Sequence, residues 1–205
     1  MKLLSTFLIV VGLVILLFIF GPVVKEEIKY QSNQWEGIRY TLDLNLQEPN
    51  PVGVRLIAPV NTEFGVVIPK INVNAQIFPE IDPTNPSEYL PILKMGVAHA
   101  KNSAYPDKEG NVFLFAHSTD AFYNVAHYNA VFFLIGKLDK GDEVDIFYNN
   151  KRYKYEVYKK GVVSPQLLGD YIKGNTSGKS LTLQTCYPPG TTINRLVVLA
   201  KQSEQ

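Results

Sequence analysis

The sequence predicts a mainly β domain, in the form of a closed barrel, behind an apolar N-terminal helix. Short runs of β-branched and aromatic residues recur from Phe64 to the end of the chain, and Gly, Pro, Asn or Asp residues separate them. A long uncharged run at the N-terminus predicts the helix. These features place about 150 residues in one β domain, which is an ordinary domain size.

The N-terminal run extends from Leu3 to Val24 and contains no charged residue. As a helix it would be roughly 33 Å long, enough to cross a bilayer core of about 30 Å. A cleaved signal peptide has a shorter apolar stretch and a small-residue cleavage site, and this run has neither. We therefore expect residues 1–24 to be an uncleaved, single-pass membrane anchor. Basic residues flank the run on both sides, so the positive-inside rule leaves its orientation open.

The polar segment over residues 25–55 is predicted to be an extracytoplasmic stalk with local structure around Trp35. Its composition is mixed, and the sequence QEPNP at 47–51 interrupts any regular element. After this segment the composition changes to recurring β-branched and aromatic runs, which predicts that the β domain covers residues 56–205.

Six runs in the β domain are predicted to be strands, and YKYEVY within them alternates polar and apolar residues as a half-buried strand does. Tight turns are expected at LDKGDE and YNNKR. A helix is expected in DPTNPSEYLPILKMG, where Pro91 limits its length. The six runs are 64–68, 111–117, 142–148, 152–163, 180–186 and 193–201.

Composition excludes several classes of function. The net charge is +1 and no basic cluster stands out, so no nucleic-acid partner is expected. The single cysteine allows no intramolecular disulfide, and the three histidines show no metal-ligand spacing. We therefore expect no metal and no cofactor, and a dependence on calcium stays open.

Three side chains could together perform nucleophilic catalysis. Cys186, the only thiol, ends an apolar strand before Tyr-Pro-Pro-Gly, and His117 likewise ends the strand NVFLFA. Arg195 interrupts the apolar strand INRLVVLA. Each has an ordinary structural explanation: a buried thiol, a structural histidine, and a solvent-facing arginine. Together they supply a nucleophile, a proton carrier and a cation for an oxyanion.

These residues carry a resemblance to a known family. TLQTC followed by Arg195 is similar to the TLxTC…R signature of sortases, the cysteine transpeptidases of bacterial cell surfaces. GVAHAKNSAYPDKEGNVFLFAHS, residues 96–118, resembles the sortase segment that ends in the catalytic histidine, although Ala116 stands where a Gly is usual. VVIPKINVNAQIF resembles the first strands of the family. The resemblance spans roughly Gly65 to Lys201.

The resemblance implies an eight-stranded sortase barrel with short helices. It implies that Cys186 is the nucleophile, His117 the general acid and base, and Arg195 the stabiliser of the oxyanion, while Thr185 helps to orient the substrate. The substrate would be a secreted protein with a C-terminal LPxTG-like sorting signal, passed through a thioacyl-enzyme intermediate to an amine such as a peptidoglycan precursor. The enzyme would lie in the bacterial cell membrane with its domain outside. His99 would be structural.

Two other functions are alternatives to this one. An L,D-transpeptidase also uses Cys and His, but in a Ser-His-Gly-Cys context, whereas His117 and Cys186 are about 70 residues apart. A membrane-tethered adhesin or binding module without enzymatic activity requires Cys186 to be buried and unreactive. Among sortases, we favour protein anchoring over pilus assembly, since no aromatic lid motif is recognisable in the stalk. The sorting motif and the acceptor amine stay open.

Overall fold

The computed structural model describes residues 2–42, 54–118 and 131–203. The predicted breaker at 47–51 and His127 lie outside these residues.

Short 3-10 turns occur at Pro69–Ile71, Ile135–Lys137 and Pro165–Leu167. The helices and strands, in chain order, are α1 (Lys2–Trp35), β1 (Arg39–Leu42), β2 (Val54–Ile57), β3 (Phe64–Ile68), β4 (Val73–Ile81), α2 (Pro86–Leu93), β5 (Val97–Ala100), β6 (Asn111–Phe115), β7 (Glu143–Tyr148), β8 (Lys151–Val163), α3 (Leu168–Asn175), β9 (Ser180–Tyr187) and β10 (Asn194–Gln202).

Eight strands form a closed barrel in the order β10-β8-β7-β3-β4-β5-β6-β9, so the predicted closed, eight-stranded barrel with short helices is confirmed. The pairs β4–β5 and β6–β9 are parallel, and the other neighbours in the barrel are antiparallel. Closure leaves no unpaired barrel edge to attract another chain. It also brings the ends of β6, β9 and β10 side by side, although these strands are far apart in sequence.

The hairpin between β7 and β8 shows how local sequence fixes the strand register. Asn149 and Asn150 have φ angles of 50° and 60°, and Tyr148 pairs directly with Lys151 across the turn. Two consecutive residues with positive φ make the hairpin turn whose twist matches that of the strands, and Asn tolerates this conformation. The tight turn expected at YNNKR is therefore confirmed.

The barrel core is formed by alternate residues of the strands. Leu183 of β9, Leu114 of β6, Leu196 of β10 and Ile146 of β7 belong to one cluster of buried side chains. Each such side chain contributes about 1.5–3 kcal/mol when it leaves water. Because strand side chains alternate between faces, the residues next to these in sequence lie on the outer face of the barrel.

Two appendages cover parts of the outer face. On one side α2 packs its Leu93 against Ala98 and Phe115. On another, the parallel pair β1–β2 contributes Leu42 and Ile57 to a cluster with Val67 and Phe147. The catalytic candidates lie on β9, on β10 and just past the end of β6, outside the β1–β2 patch.

Helix α1 runs without a break through Trp35. The segment predicted as a stalk therefore begins as the last part of a helix and continues into β1. Within residues 2–42, 54–118 and 131–203, no helix is long and apolar enough to count as a membrane span. The predicted membrane anchor over Leu3–Val24 is not confirmed.

Candidate active site

His117 and Cys186 come together because β6 and β9 are parallel and in register. The register pairs Phe115 with Gln184, and the amide of Ala116 donates to the carbonyl of Gln184 at 3.2 Å. His117 lies two residues after Phe115, and Cys186 lies two residues after Gln184. Both strands run in the same direction to the same end of the barrel, so His117, just past the end of β6, and Cys186 near the end of β9 lie on neighbouring stretches of chain.

Arg195 lies on the other side of Cys186. In the antiparallel pair β9–β10, Arg195 is the direct partner of Cys186. Direct partners in such a pair have Cβ atoms about 4.5–5.5 Å apart. The row His117, Cys186, Arg195, here called the catalytic row, thus runs from the end of β6 across β9 to β10, with the thiol in the middle.

All three side chains of the catalytic row lie on the outer face of the barrel. Each lies an odd number of positions from a core residue of the same strand or of the strand that leads to it, and strand side chains alternate between faces. The core residues are Leu183 for Cys186, Leu114 for His117 and Leu196 for Arg195. The three groups therefore share a face as well as a row, which the sequence alone did not establish.

The Cys186 thiol is half-buried, and its environment acts on its pKa in two directions. Burial raises the pKa of Cys186, and the positive charge of Arg195 opposes that rise. The rise prevails, so the resting group is mainly the neutral thiol at neutral pH. Because the thiolate is the nucleophilic form, a neighbouring base has to remove the proton during reaction.

Arg195 is oriented by the loop that connects β9 to β10. Its Nη1 donates to the carbonyl oxygens of Thr192 at 3.0 Å and Asn194 at 3.1 Å. No carboxylate within the described part of the chain forms an ion pair with it. The guanidinium carries further N–H donors in a planar fork. These donors and an unneutralised charge suit an arginine that binds a developing oxyanion.

Thr185 lies beside the thiol in sequence but on the opposite face of the strand. It is 1% exposed, and its hydroxyl donates to the carbonyl of Ala116 at 2.9 Å. This bond joins β6 and β9 one residue before both His117 and Cys186. The structure gives Thr185 a place in the scaffold of the site, and the role in orienting the substrate stays a prediction.

His99 lies inside the barrel, away from the catalytic row. It is fully buried, its ring centroid lies 4.7 Å from that of Tyr105, and its Nε2 lies 2.8 Å from the hydroxyl oxygen of Ser103. Burial lowers the pKa of His99, which favours the neutral ring. These contacts agree with the structural role expected for it.

Two backbone groups that the sequence does not reveal help to hold the site. The amide of Phe132 donates to the carbonyl of His117 at 3.2 Å, and the carbonyl of Ala116 accepts from Thr185. Backbone atoms occur in every residue, so no sequence signal could have marked these two. No group of three or more His, Cys, Asp or Glu side chains that could hold a metal occurs among residues 2–42, 54–118 and 131–203.

Comparison with known proteins agrees with this geometry. The Sortase domain family model matches residues 66–203, which include the whole catalytic row. The chain belongs to the sortase family. Sortase D of Bacillus subtilis (strain 168) is 29% identical over 138 residues, an alignment that covers 66% of this chain and 61% of that protein. The sortase domain thus accounts for two thirds of this chain, and the alignment spans less than two thirds of that relative.

Solved sortases share the barrel. Sortase E1 from Streptomyces coelicolor, solved with a tripeptide in its active site, gives a TM-score of 0.57 at 24% identity, covering 70% of this chain and 88% of that chain. A Clostridium perfringens Sortase D5 transpeptidase gives a TM-score of 0.53 at 26% identity, covering 72% and 82%. At such identities the likeness establishes the shared fold.

Proposed function

We propose that this sortase is a cysteine transpeptidase that cuts a C-terminal sorting signal and transfers the new carboxyl end to an amine. The observation that carries the proposal is the position of the only thiol in the chain between an imidazole and a guanidinium. In this role Cys186 is the nucleophile, His117 carries the proton, and Arg195 stabilises negative charge on the substrate oxygen.

Acylation begins when His117 takes the proton of the Cys186 thiol. The sulfur attacks the scissile carbonyl carbon, a C–S bond forms, and negative charge develops on the carbonyl oxygen. The N–H donors of Arg195 stabilise that charge. The C–N bond then breaks, and the leaving amine takes the proton from His117. A thioester on Cys186 and a free C-terminal fragment result, with atoms and charge in balance.

Transfer reverses these roles. An acceptor amine attacks the thioester carbonyl, and His117 removes a proton from the attacking nitrogen. Arg195 again faces the oxyanion, and the C–S bond breaks as the new amide forms. The sulfur leaves as thiolate and recovers a proton from His117, which restores the resting thiol that the raised pKa of Cys186 favours.

The substrate, the location and the absence of a cofactor are also parts of the proposal. The TLQTC…R signature supports an LPxTG-like signal on a secreted protein, with an amine such as a peptidoglycan precursor as acceptor. An enzyme with these substrates works outside the cell, and the uncharged run Leu3–Val24 supports a single-pass membrane anchor. Covalent catalysis by thiol, imidazole and guanidinium requires no metal or organic cofactor.

A peptide-library cleavage assay tests the proposal. The full chain in detergent is incubated with peptides that vary around LPxTG, first alone and then with a small primary amine. We expect cleavage after the Thr of a preferred motif, and a ligated product when the amine is present. Lack of cleavage across the whole library, from protein that is folded by circular dichroism, would contradict the proposed function.

A further inference from the structure

The segment 131–138, here called the cap segment, closes the end of the barrel where the catalytic row lies. Its side chains Phe132, Ile135 and Leu138 are fully buried in the barrel core. An ideal Cβ on Gly136 would lie 3.3 Å from Leu196, the core residue that follows Arg195. The cap segment therefore packs directly against the strand that carries the arginine of the catalytic row.

Backbone hydrogen bonds join the cap segment to His117. The amide of Phe132 donates to the carbonyl of His117 at 3.2 Å. Within the segment, Ile135 donates to Phe132 at 3.4 Å and Leu138 donates to Ile135 at 3.1 Å. His117 lies just beyond the end of β6, so this chain of bonds is one of the features that fix its backbone.

Helix α1 contacts the cap segment from outside the barrel. Lys137 Nζ donates to Glu27 Oε1 at 2.7 Å and lies 5.6 Å from the ring centroid of Tyr30. The hydrogen bond from Lys137 lowers the pKa of Glu27, so the carboxylate stays charged at neutral pH. Tyr30 also packs against the barrel core. One lysine of the cap segment thus meets two side chains of α1.

Near this contact, α1 and β1 do not pack tightly on the barrel. A cavity of about 890 Å³ lies between them and the barrel end, and its walls include Tyr30, Leu134 and Lys70. Across such a gap the position of α1 depends on a small number of contacts. Among the described residues, Glu27 and Lys137 form the ion pair that joins the helix to the cap segment.

We propose that Glu27 and Lys137 are positioning residues for catalysis, which hold the cap segment and through it His117. The inference rests on the role proposed for His117. Neither residue belongs to the catalytic row, and an ion pair this exposed adds little to stability. The sensitive quantity is geometry, because displacing a catalytic group by about 1 Å can cost about 100-fold in rate. Helix α1 then contributes to catalysis by holding the cap segment and, through it, His117.

A double-mutant cycle in the full chain tests this link. The variants are Glu27→Gln, Lys137→Met, both together, and the charge swap Glu27→Lys with Lys137→Glu. Coupling through a packed network is worth roughly 2- to 30-fold, so we expect each single variant to lose that factor in kcat with KM unchanged. The double variant should lose no more than a single one, and the swap should recover activity. The matched control is Glu26→Gln, the same change one residue earlier on α1.

A second readout does not depend on the peptide substrate. The rate of Cys186 alkylation by iodoacetamide, followed against pH, reports whether His117 still takes the proton of the thiol. Both single variants should alkylate more slowly near neutral pH, while Glu26→Gln should match the wild type. Wild-type kcat and alkylation profiles in the Glu27 and Lys137 variants, or losses shared by the control, would overturn the inference. A wild-type chain that alkylates normally but cuts no peptide would instead count against the proposed function.

Discussion

Two groups of polar side chains lie on the outer face of the barrel, and they are built in opposite ways. On β7 and β8, the ion cluster of Glu143, Asp145, Arg152 and Lys154 pairs its charges with one another. Arg152 donates from Nε to Asp145 at 2.8 Å and from Nη2 to Glu143 at 2.5 Å, and Lys154 bonds to the other oxygen of Glu143. In the catalytic row, Arg195 donates to backbone carbonyls and pairs with no described carboxylate.

The difference between the two arginines separates a structural charge from a functional one. Asp145 is fully buried beneath its partners, and burial raises its pKa to about 6 although Arg152 acts against that rise. Removing the arginine from a buried carboxylate of this kind strongly destabilises the fold, because the remaining charge is uncompensated. Arg195 pairs with no described carboxylate, so its charge is available to a substrate. Substitutions in the two groups should therefore change different quantities.

The largest expected effect on activity is that of removing the thiol. Cys186→Ala should abolish peptide cleavage, since no thioester can form without sulfur. His117→Ala should lower kcat/KM by about 100- to 10,000-fold through loss of acid–base catalysis. Both variants should melt close to the wild type by circular dichroism. Turnover by Cys186→Ala above the background of buffer alone would remove the nucleophile from the account.

Arg195 comes next. Loss of an oxyanion donor costs about 100- to 1000-fold in rate, so Arg195→Ala should lower kcat/KM by that factor. Arg195→Lys should fall almost as far, because lysine keeps the charge but loses the planar fork. Steady-state cleavage of a sorting peptide measures both. Near-normal kcat/KM in a folded Arg195→Ala variant would reduce the catalytic row to the Cys–His pair.

The same substitution has a pH signature. Arg195 opposes the rise that burial causes in the pKa of Cys186, so Arg195→Ala should raise that pKa further. The pH profile of iodoacetamide alkylation should then shift to higher pH. An unchanged profile would show that the guanidinium does not act on the thiol, whatever its effect on turnover.

Arg152 should have the smallest effect on activity and the largest on stability. Arg152→Met leaves the buried Asp145 uncompensated and should cost about 3 kcal/mol in the free energy of unfolding. The folded-state pKa of Asp145 is raised above its unfolded value of about 3.9, so the unfolded state binds fewer protons between these values. Stability therefore falls as pH rises through about 4 to 6. Loss of Arg152 raises the pKa of Asp145 further, so the fall in stability continues to higher pH.

Urea titrations at pH 5 and pH 8 check both parts of that prediction. Part of the loss in Arg152→Met should be recovered at pH 5, and kcat/KM should stay close to wild type wherever the variant is folded. Lys154→Met is the control, because Lys154 is 43% exposed and such a pair is worth about 0–1 kcal/mol. Equal losses in the two variants, independent of pH, would show that burial of Asp145 does not set the strength of the ion cluster.

Much of the barrel was predictable from the pattern of residues. Phe64–Ile68 was predicted to the residue, and the strands from β6 to β10 were placed with small differences at their ends. The expected helix is confirmed as α2, which accommodates Pro91 within its eight residues. The hairpin turn at Asn149 and Asn150 was predictable because asparagine tolerates positive φ.

Other elements were not predicted as such. Strand β5 is four residues long, too short for periodicity to show. Helix α3 carries two glycines in LGDYIKGN and has weak helical propensity, so its tertiary setting decides it. There Tyr171 packs over Gly161, where an added Cβ would come within 2.5 Å of the tyrosine hydroxyl. No local rule reports such a contact.

The candidate site was also predictable only in part. Its residue types and their order along the chain were readable, because a nucleophile, a base and a cation are chemically distinct. Their arrangement was not, since it depends on the parallel register of β6 and β9, which are joined through about 65 residues of intervening chain. The contact between Glu27 and Lys137 could likewise not be predicted, because no pattern in the sequence around either residue indicates the other.

The central claim is that Cys186, set between His117 and Arg195, forms a thioester with its substrate. Intact-mass spectrometry of the full chain, quenched in acid during turnover of a cleaved sorting peptide, tests it most directly. The account predicts an adduct equal in mass to the peptide fragment ending in Thr, located on Cys186, released by hydroxylamine and absent from Cys186→Ala. Rapid cleavage with no adduct on Cys186 at any time, and with Cys186→Ala still active, would contradict it.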